Sequence, residues 1–216
     1  MATRTRTGPR RFTTAAEFAL GMDMSRSTTS PNSPPEPSPA QPSVRLELTD
    51  ATGRVAAPNA QRLLDQLSRA VPLACRREAH RTEGHPRAGE VRIRIVDDAE
   101  MAAQHEEFAG IPGTTDVLTF DMSGEPDSRG ILLLDIDITV CLDEAARQGA
   151  KRHHAPEDEL LLYALHGVLH CLGHDDHDDD AYRAMHAAED EILAAIGASV
   201  RFHADEKSPH DRGAHA

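Results

Sequence analysis

The feature that most constrains the fold is a leucine-rich segment carrying two histidines four residues apart. Apolar residues surround nearly the whole circumference of a helix over residues 157–172, which predicts a buried helix. His166 and His170 share one face of that helix, so both imidazoles can reach one point. Gly173 predicts the helix end, because glycine tolerates the left-handed conformation there. Buried imidazoles need partners, and this spacing indicates a shared ligand.

Further candidate ligands follow the predicted helix end. The turn after Gly173 can bring Asp175, Asp176 or His177 back towards the two imidazoles. Two helical histidines and a third ligand from a following turn form the layout of a catalytic zinc site, with water in the fourth position. Asp176 and His177 are adjacent, and zinc accepts either, so they remain alternatives for the third ligand. A Zn²⁺ held in this way lowers the pKa of its water to roughly 7, so the pattern predicts a metal-assisted hydrolase.

The residue after the first histidine argues against a conventional metalloprotease. In the helical signature H-E-x-x-H that residue is the glutamate general base. Here it is Gly167, and Glu159 lies two turns away. Cys171 adjoins His170, but one position along a helix points about 100° away, so we expect a buried thiol rather than a ligand.

Periodicity along the chain predicts a single α+β domain. Alternating residues predict strands near 44–49 and 91–95, and apolar runs predict strands at 114–120 and 131–140. Helical patterns cover 60–77, 98–108, 142–148, 157–172 and a last helix from about 178. This order predicts a small mixed β-sheet with packed helices over residues 43–200. Residues 1–42, rich in Pro, Ser and Arg, and the histidine-containing residues 201–216 are predicted to be disordered tails.

Composition limits the partners and the compartment. The formal net charge of −13 argues, taken alone, against a nucleic-acid partner. Residues 62–94 are locally basic in this acidic chain, with eight arginines against four acidic residues. Three widely spaced cysteines imply no disulfide framework and favour a cytoplasmic location. No apolar run approaches the ~20 residues of a membrane span, so no membrane partner is expected.

Two acidic residues interrupt the apolar run at 131–140. Asp135 and Asp137 are two apart and therefore point to the same face of the predicted strand. Either the strand is an edge that faces solvent, or the carboxylates accept hydrogen bonds from loops near the site.

Three ordered blocks make the chain resemble the YbeY family of bacterial endoribonucleases. The histidine segment H-G-V-L-H-C-L-G-H-D-D-H is similar to the family's H-G-x-L-H-L-x-G-Y-D-H. T-T-D-V-L-T-F at 114–120 is similar to P-T-D-V-L-S-F, and L-D-I-D-I-T at 134–139 to G-D-I-x-I-S. The resemblance covers about residues 44–196.

The resemblance implies a zincin-like, zinc-dependent, single-strand-specific endoribonuclease with one Zn²⁺ per chain. It implies a role in late ribosome maturation, at the 3′ end of small-subunit rRNA, and in ribosome quality control. The expected partners are ribosomal RNA and the ribosome or its small subunit, without DNA, and the expected state is a monomer. The family's first two histidines fall on His166 and His170, and its third falls on Asp176, with His177 one further on. Its penultimate Asp falls on Asp175, expected to support a ligand without binding the metal.

The chain departs from the family where phosphate would be stabilised. The family often carries an arginine shortly before the T-D-V block, and here that residue is Ala109. Cationic groups near the metal are needed in phosphodiester cleavage, so other arginines become candidates for the RNA path. They are Arg62, Arg69, Arg76, Arg92 and Arg94, with a solvated basic face as the alternative.

Two other functions stay open at this point. One is a metallopeptidase-like zinc hydrolase, against which Gly167 counts. The other is a non-catalytic ribosome-assembly factor whose structural metal is closed off by both Asp176 and His177.

Overall fold

A mixed five-stranded sheet organises the chain, in a computed structural model that describes residues 10–14, 43–79 and 85–201. The strands are β1 (Arg10–Thr14), β2 (Ser43–Asp50), β3 (His85–Val96), β4 (Val117–Asp121) and β5 (Ile131–Cys141). The helices are α1 (Ala57–Arg77), α2 (Asp98–Ala109), α3 (Leu142–Arg152), α4 (Pro156–Cys171) and α5 (Asp179–Ala195). This architecture confirms the predicted α+β domain with a small mixed sheet.

The strand order is β1-β2-β3-β5-β4. The three central strands run parallel, which the crossover helices α1 and α2 make possible, and both edge strands are antiparallel to their neighbours. Leu48, Ile93 and Ile138 lie side by side across the central strands and are at most 2% exposed. Successive side chains alternate between the faces, so this face of the sheet carries the core.

The opposite face of the central strands carries charges, which explains the two acidic residues of β5. Arg92 pairs in register with Asp137, and its guanidinium donates to Asp137, Asp135 and Glu90. β5 lies between β3 and β4 and is therefore not the edge strand that one explanation required. Its polar face is nevertheless open to solvent, because both aspartates are about half exposed.

Helix α4 lies on the core face between the other elements. Pro156 begins it, and three acidic residues occupy its first turn, where the helix dipole favours negative charge. It contacts α1, α3, α5, β4 and β5, and ten of its sixteen residues are buried. The chain then turns at Gly173, whose φ of 87° is the left-handed conformation expected there.

The structure differs from the sequence-based prediction mainly at element ends. Arg10–Thr14 forms strand β1 against β2, inside the segment predicted to be a disordered tail. Strand β3 begins at His85, six residues before the strand predicted near 91–95, and β4 begins only at Val117, within the strand predicted at 114–120. The remaining residues of the two predicted tails, apart from Arg201, lie outside the described residues. Within the described part of the chain, no helix is both long enough and apolar enough to cross a bilayer.

Candidate metal centre

Two histidine rings of α4 meet with their Nε2 atoms 3.0 Å apart. One turn of the helix separates His166 from His170, and the rings stand nearly perpendicular, at 88°. This arrangement brings the two predicted ligands together.

The other nitrogen of each ring fixes its tautomer. His166 Nδ1 lies 2.8 Å from Glu189 Oε1, and His170 Nδ1 lies 3.1 Å from the carbonyl oxygen of His174. An ionised carboxylate and a carbonyl oxygen only accept, so both Nδ1 atoms must carry the hydrogen. In the neutral rings each Nε2 is therefore a lone pair, and the two lone pairs face each other across 3.0 Å. Two facing acceptors are stable only with a positive charge between them, either a proton or a cation.

If a proton lies between the two rings, the pKa shifts of the histidines indicate which ring it favours. Burial lowers the pKa of His166, but the hydrogen bond and charge of Glu189 outweigh burial and raise it. Burial and the positive charge of His166 both lower the pKa of His170. These opposite directions favour a proton on His166 over one on His170, and a metal ion bound between the rings would compete with that proton.

The turn after α4 offers a third ligand beside the pair. A carboxylate oxygen of Asp176 and one ring nitrogen each of His166 and His170 lie within 4.8 Å of one another. The set of two imidazoles and one carboxylate suits a zinc ion. The His177 side chain is 87% exposed and groups instead with Asp175 and Asp176. Of the two alternatives left by the sequence, Asp176 is therefore the residue that the fold brings to the histidines.

Asp175 supports this turn rather than a histidine ligand. Its Oδ1 accepts from the backbone N–H groups of Asp176 and His177, at 2.7 and 3.1 Å. These bonds hold the chain in the conformation that directs Asp176 inwards. The predicted supporting role of Asp175 thus acts on the backbone of the neighbouring residue.

A buried carboxylate of α5 orients His166. Glu189 is 1% exposed, and its two oxygens accept from His166 Nδ1 and His186 Nδ1. Burial favours the neutral acid, but these hydrogen bonds outweigh it and lower the pKa of Glu189. A carboxylate on the distal nitrogen of a metal-binding histidine fixes the ring and raises its basicity. His166, His186 and Glu189 could also group around an ion, but the carboxylate already accepts from both rings.

The turn is tied to α1 by a second buried pair. The ring of His174 lies 3.0 Å from Glu78, and both side chains are at most 1% exposed. Burial raises the pKa of Glu78, but Arg77 and His174 outweigh it and lower that pKa. The pair fixes the His174 carbonyl that accepts from His170.

Gly167 leaves no space for a general base after the first histidine. A Cβ at this position would lie 2.7 Å from Thr119 Oγ1 and 3.3 Å from Ile138 Cδ1. α4 therefore packs directly on β4 and β5 at this point, and a glutamate would not fit. Glu159, the distant substitute, is fully buried and paired with Arg152 and His154.

A pocket of about 400 Å³ opens beside the histidine pair. His166 and Asp176 line one part of it, and Glu144, Gln148 and Arg152 line another. The pocket leaves room for a substrate next to the candidate ligands.

Comparison with known proteins shows the family to which the chain belongs. A family model described as Endoribonuclease YbeY matches residues 55–197. The chain belongs to the YbeY family. Membership confirms the resemblance seen in the three sequence blocks and the predicted class of enzyme, a nuclease.

Relatives in the YbeY family match about half of the chain. The Acidothermus cellulolyticus protein is 39% identical over 127 residues, which are 54% of this chain and 76% of that protein. The Cutibacterium acnes protein is 40% identical over 116 residues, 51% and 74% of the two chains. Both are named Endoribonuclease YbeY. A Thermotoga maritima solution structure is 22% identical, with a TM-score of 0.43, and covers 70% of this chain and 90% of that one.

The five predicted RNA-binding arginines do not lie together. Arg92 and Arg94 are on the sheet face opposite the core, where Arg92 binds three carboxylates and Arg94 donates to Glu100 at 2.9 Å. Helix α4 packs on the core face, so these two are separated from the histidines by the sheet. Arg62, Arg69 and Arg76 are exposed on one side of α1, where Arg69 also donates to the carbonyl of Ile196.

Sequence reasoning missed Glu189 and His186. Glu189 is four residues after Met185 and three before Ile192, so it falls on the apolar stripe of α5. An acidic residue at such a position needs a buried partner, and this was the available signal.

Proposed function

We propose that the chain is a zinc-dependent, single-strand-specific endoribonuclease of late ribosome maturation. In this proposal it processes the 3′ end of small-subunit rRNA, takes part in ribosome quality control and acts in the cytoplasm as a monomer. The observation that carries the metal assignment is the pair of Nε2 atoms facing each other at 3.0 Å beside the Asp176 carboxylate. Membership of the YbeY endoribonuclease family supports the reaction.

His166, His170 and Asp176 would hold one Zn²⁺. The bound ion would supply an activated water and a polarised phosphoryl oxygen for hydrolysis of a phosphodiester. Glu189 and the His174 carbonyl hold the two rings in the orientation that binding needs. The adjoining pocket would receive the RNA strand.

Two features weigh against the competing functions. A peptidase of the H-E-x-x-H type needs a base where Gly167 packs against β4, and a Cβ there would lie 2.7 Å from Thr119 Oγ1. A purely structural metal would need a fourth protein ligand such as His177, whose side chain is 87% exposed.

The experiment compares metal content and RNA cleavage in the wild type and His170→Ala. We expect the wild type to bind about one zinc and to cut single-stranded but not double-stranded RNA. His170→Ala, which removes a ligand, should lose both zinc and cleavage. Zinc bound at one per chain without cleavage of any RNA would favour the structural metal and reject the enzyme.

The RNA path is proposed along the exposed side of α1 that ends at Arg76. Helices α1 and α4 run parallel: Asn59 donates to Glu157 near their starts, and Glu78 meets His174 beyond their ends. Arg76 lies two residues before Glu78 and therefore at the metal end of α1. Arg62 lies on the same side, fourteen residues earlier, about 21 Å along the helix.

This geometry makes Arg62 a matched control for Arg76. Charge reversal in Arg76→Glu should weaken binding of single-stranded RNA and reduce the slope of log K against log salt by about 1. Arg62→Glu changes the net charge equally but should have the smaller effect. Equal effects of both variants would indicate a general charge effect, and no effect would leave this side of α1 a solvated surface.

A further inference from the structure

A buried tyrosine hydroxyl beside the metal candidate has no partner within the described residues. Tyr163 lies one turn before His166 on α4 and is only 7% exposed. Its hydroxyl oxygen is buried and makes no hydrogen bond. A buried hydroxyl without a partner costs about 1–3 kcal/mol, so a phenylalanine would suit folding better. The side chain lines the same pocket as His166 and Asp176, which suggests that a ligand supplies the missing bond.

The charges around the hydroxyl decide what kind of group that ligand presents. The pocket is lined by the carboxylates of Asp116, Glu144, Asp176 and Glu189 against the single guanidinium of Arg152. Burial first, and then the charges of Asp116, Glu159 and Glu144, raise the pKa of Tyr163. Such surroundings repel a phosphate and favour a neutral group that both donates and accepts, such as a sugar hydroxyl.

Hydrolysis of RNA by an activated water does not use the ribose 2′-hydroxyl. An enzyme of this type must therefore recognise that group by binding if it is to prefer RNA to DNA, because the 2′-hydroxyl is what distinguishes the two. Of the sites described so far, none does this. The T-T-D residues that precede β4 also have no role yet, and Thr114, Thr115 and Asp116 line this pocket.

We propose that this pocket is a ribose subsite, in which the Tyr163 hydroxyl hydrogen-bonds the 2′-hydroxyl of a nucleotide next to the scissile phosphate. The proposal rests on the proposed endoribonuclease function and names its sugar-recognising residue. Tyr163 is thus a specificity residue, and the neighbouring carboxylates accept the hydrogen that the 2′-hydroxyl donates.

The test uses Tyr163→Phe with two readouts. The first is the affinity of the zinc-loaded protein for a single-stranded RNA and for the DNA of the same sequence, both with cleavage-resistant phosphorothioate linkages, measured by fluorescence anisotropy. The wild type should bind the RNA several-fold more tightly, and Tyr163→Phe should remove that preference. The second is kcat/KM on an RNA with single 2′-deoxy substitutions along its length. One substitution next to the cut should slow the wild type about tenfold, typical of one buried hydrogen bond, and should not slow Tyr163→Phe further.

Tyr182→Phe tests which of the two hydroxyls reads the sugar, because it removes the chain's other phenol hydroxyl from the α5 side of the same pocket. It should keep the RNA preference. Tyr163→Phe should unfold at the same or a higher temperature than the wild type, since it loses an unpartnered buried hydroxyl. The subsite would be overturned if Tyr163→Phe kept the wild-type ratio of RNA affinity to DNA affinity. It would also be overturned if a single 2′-deoxy substitution lowered kcat/KM as much in Tyr163→Phe as in the wild type. A wild type that binds RNA selectively but cuts none would overturn the proposed function alone.

Discussion

Replacing Glu189 by glutamine tests whether this carboxylate holds the metal-binding ring. The glutamate offers one acceptor oxygen to His166 Nδ1 and the other to His186 Nδ1. Glutamine has the same shape but only one acceptor oxygen, and its amide N–H groups would face a ring N–H. One of the two rings must then lose its bond or turn.

The expected size of the effect follows from burial. Glu189 is 1% exposed, so water cannot replace the lost bond. Losing a buried hydrogen bond to a charged group costs about 1.5–3 kcal/mol. That corresponds to roughly a 10- to 100-fold loss, which is also the range found when a residue supporting a metal ligand is removed. We therefore expect Glu189→Gln to weaken zinc binding about 10- to 100-fold.

Competition with a chromophoric chelator measures the zinc affinity directly and needs no RNA. Glu191→Gln is the control, since it makes the same change of charge on α5 at a side chain that is 67% exposed. It should change the affinity less than about twofold, as expected of an exposed ion pair. Zinc affinity within twofold of wild type in Glu189→Gln, with the fold intact by circular dichroism, would refute the reasoning. Equal losses in both variants would show a long-range charge effect instead.

Two further predictions concern stability. Gly167→Ala should lower the free energy of unfolding by about 1–3 kcal/mol, because its Cβ would lie 2.7 Å from Thr119 Oγ1. Adding Thr119→Ala to this variant should restore part of the lost free energy of unfolding, measured by urea titration. If the effects of the two substitutions simply add, the predicted contact is contradicted. Asp98 hydrogen-bonds Arg147 twice, which lowers its pKa to about 2. Relative to Asp98→Asn, the wild type should therefore gain stability that is full above the unfolded pKa of about 4 and lost as pH falls towards 2. The side chains of Asp98 and Arg147 are both 43% exposed, so this gain in stability should stay below about 1 kcal/mol. Parallel profiles of stability against pH in the wild type and Asp98→Asn would exclude the gain.

The parts of the site that lie within one helix were predictable from the sequence. Helical spacing alone places His166 and His170 on one face, and the glycine at 173 alone marks the turn. Both inferences need only local geometry. The strand pattern likewise predicted the sheet, because alternation reports which face is buried.

The parts that depend on packing between elements were not predictable. Glu189 meets His166 only because α5 folds back along α4, twenty-three residues later in the chain. Similarly, the choice between Asp176 and His177 depends on the bonds that Asp175 makes to the backbone of the turn. The pairing of Arg92 with Asp137 follows from the register between β3 and β5. In each case the deciding contact joins residues whose relative position no local pattern contains.

The balance of charge in the pocket explains how an acidic chain could still bind RNA at this site. The pocket lining places four carboxylates against one guanidinium, and the chain as a whole carries a net charge of −13. Without a cation, a phosphate approaching His166 would meet net negative charge at short range, where screening by salt is weak. In the proposed function, the charge of the divalent ion therefore serves to admit the phosphate as well as to activate water. In this arrangement the phosphate lies beside the ion, the sugar beside Tyr163, and the rest of the strand along the arginines of α1. The ion then gives the scissile phosphate a positive partner, although the residue at 109 is an alanine rather than an arginine.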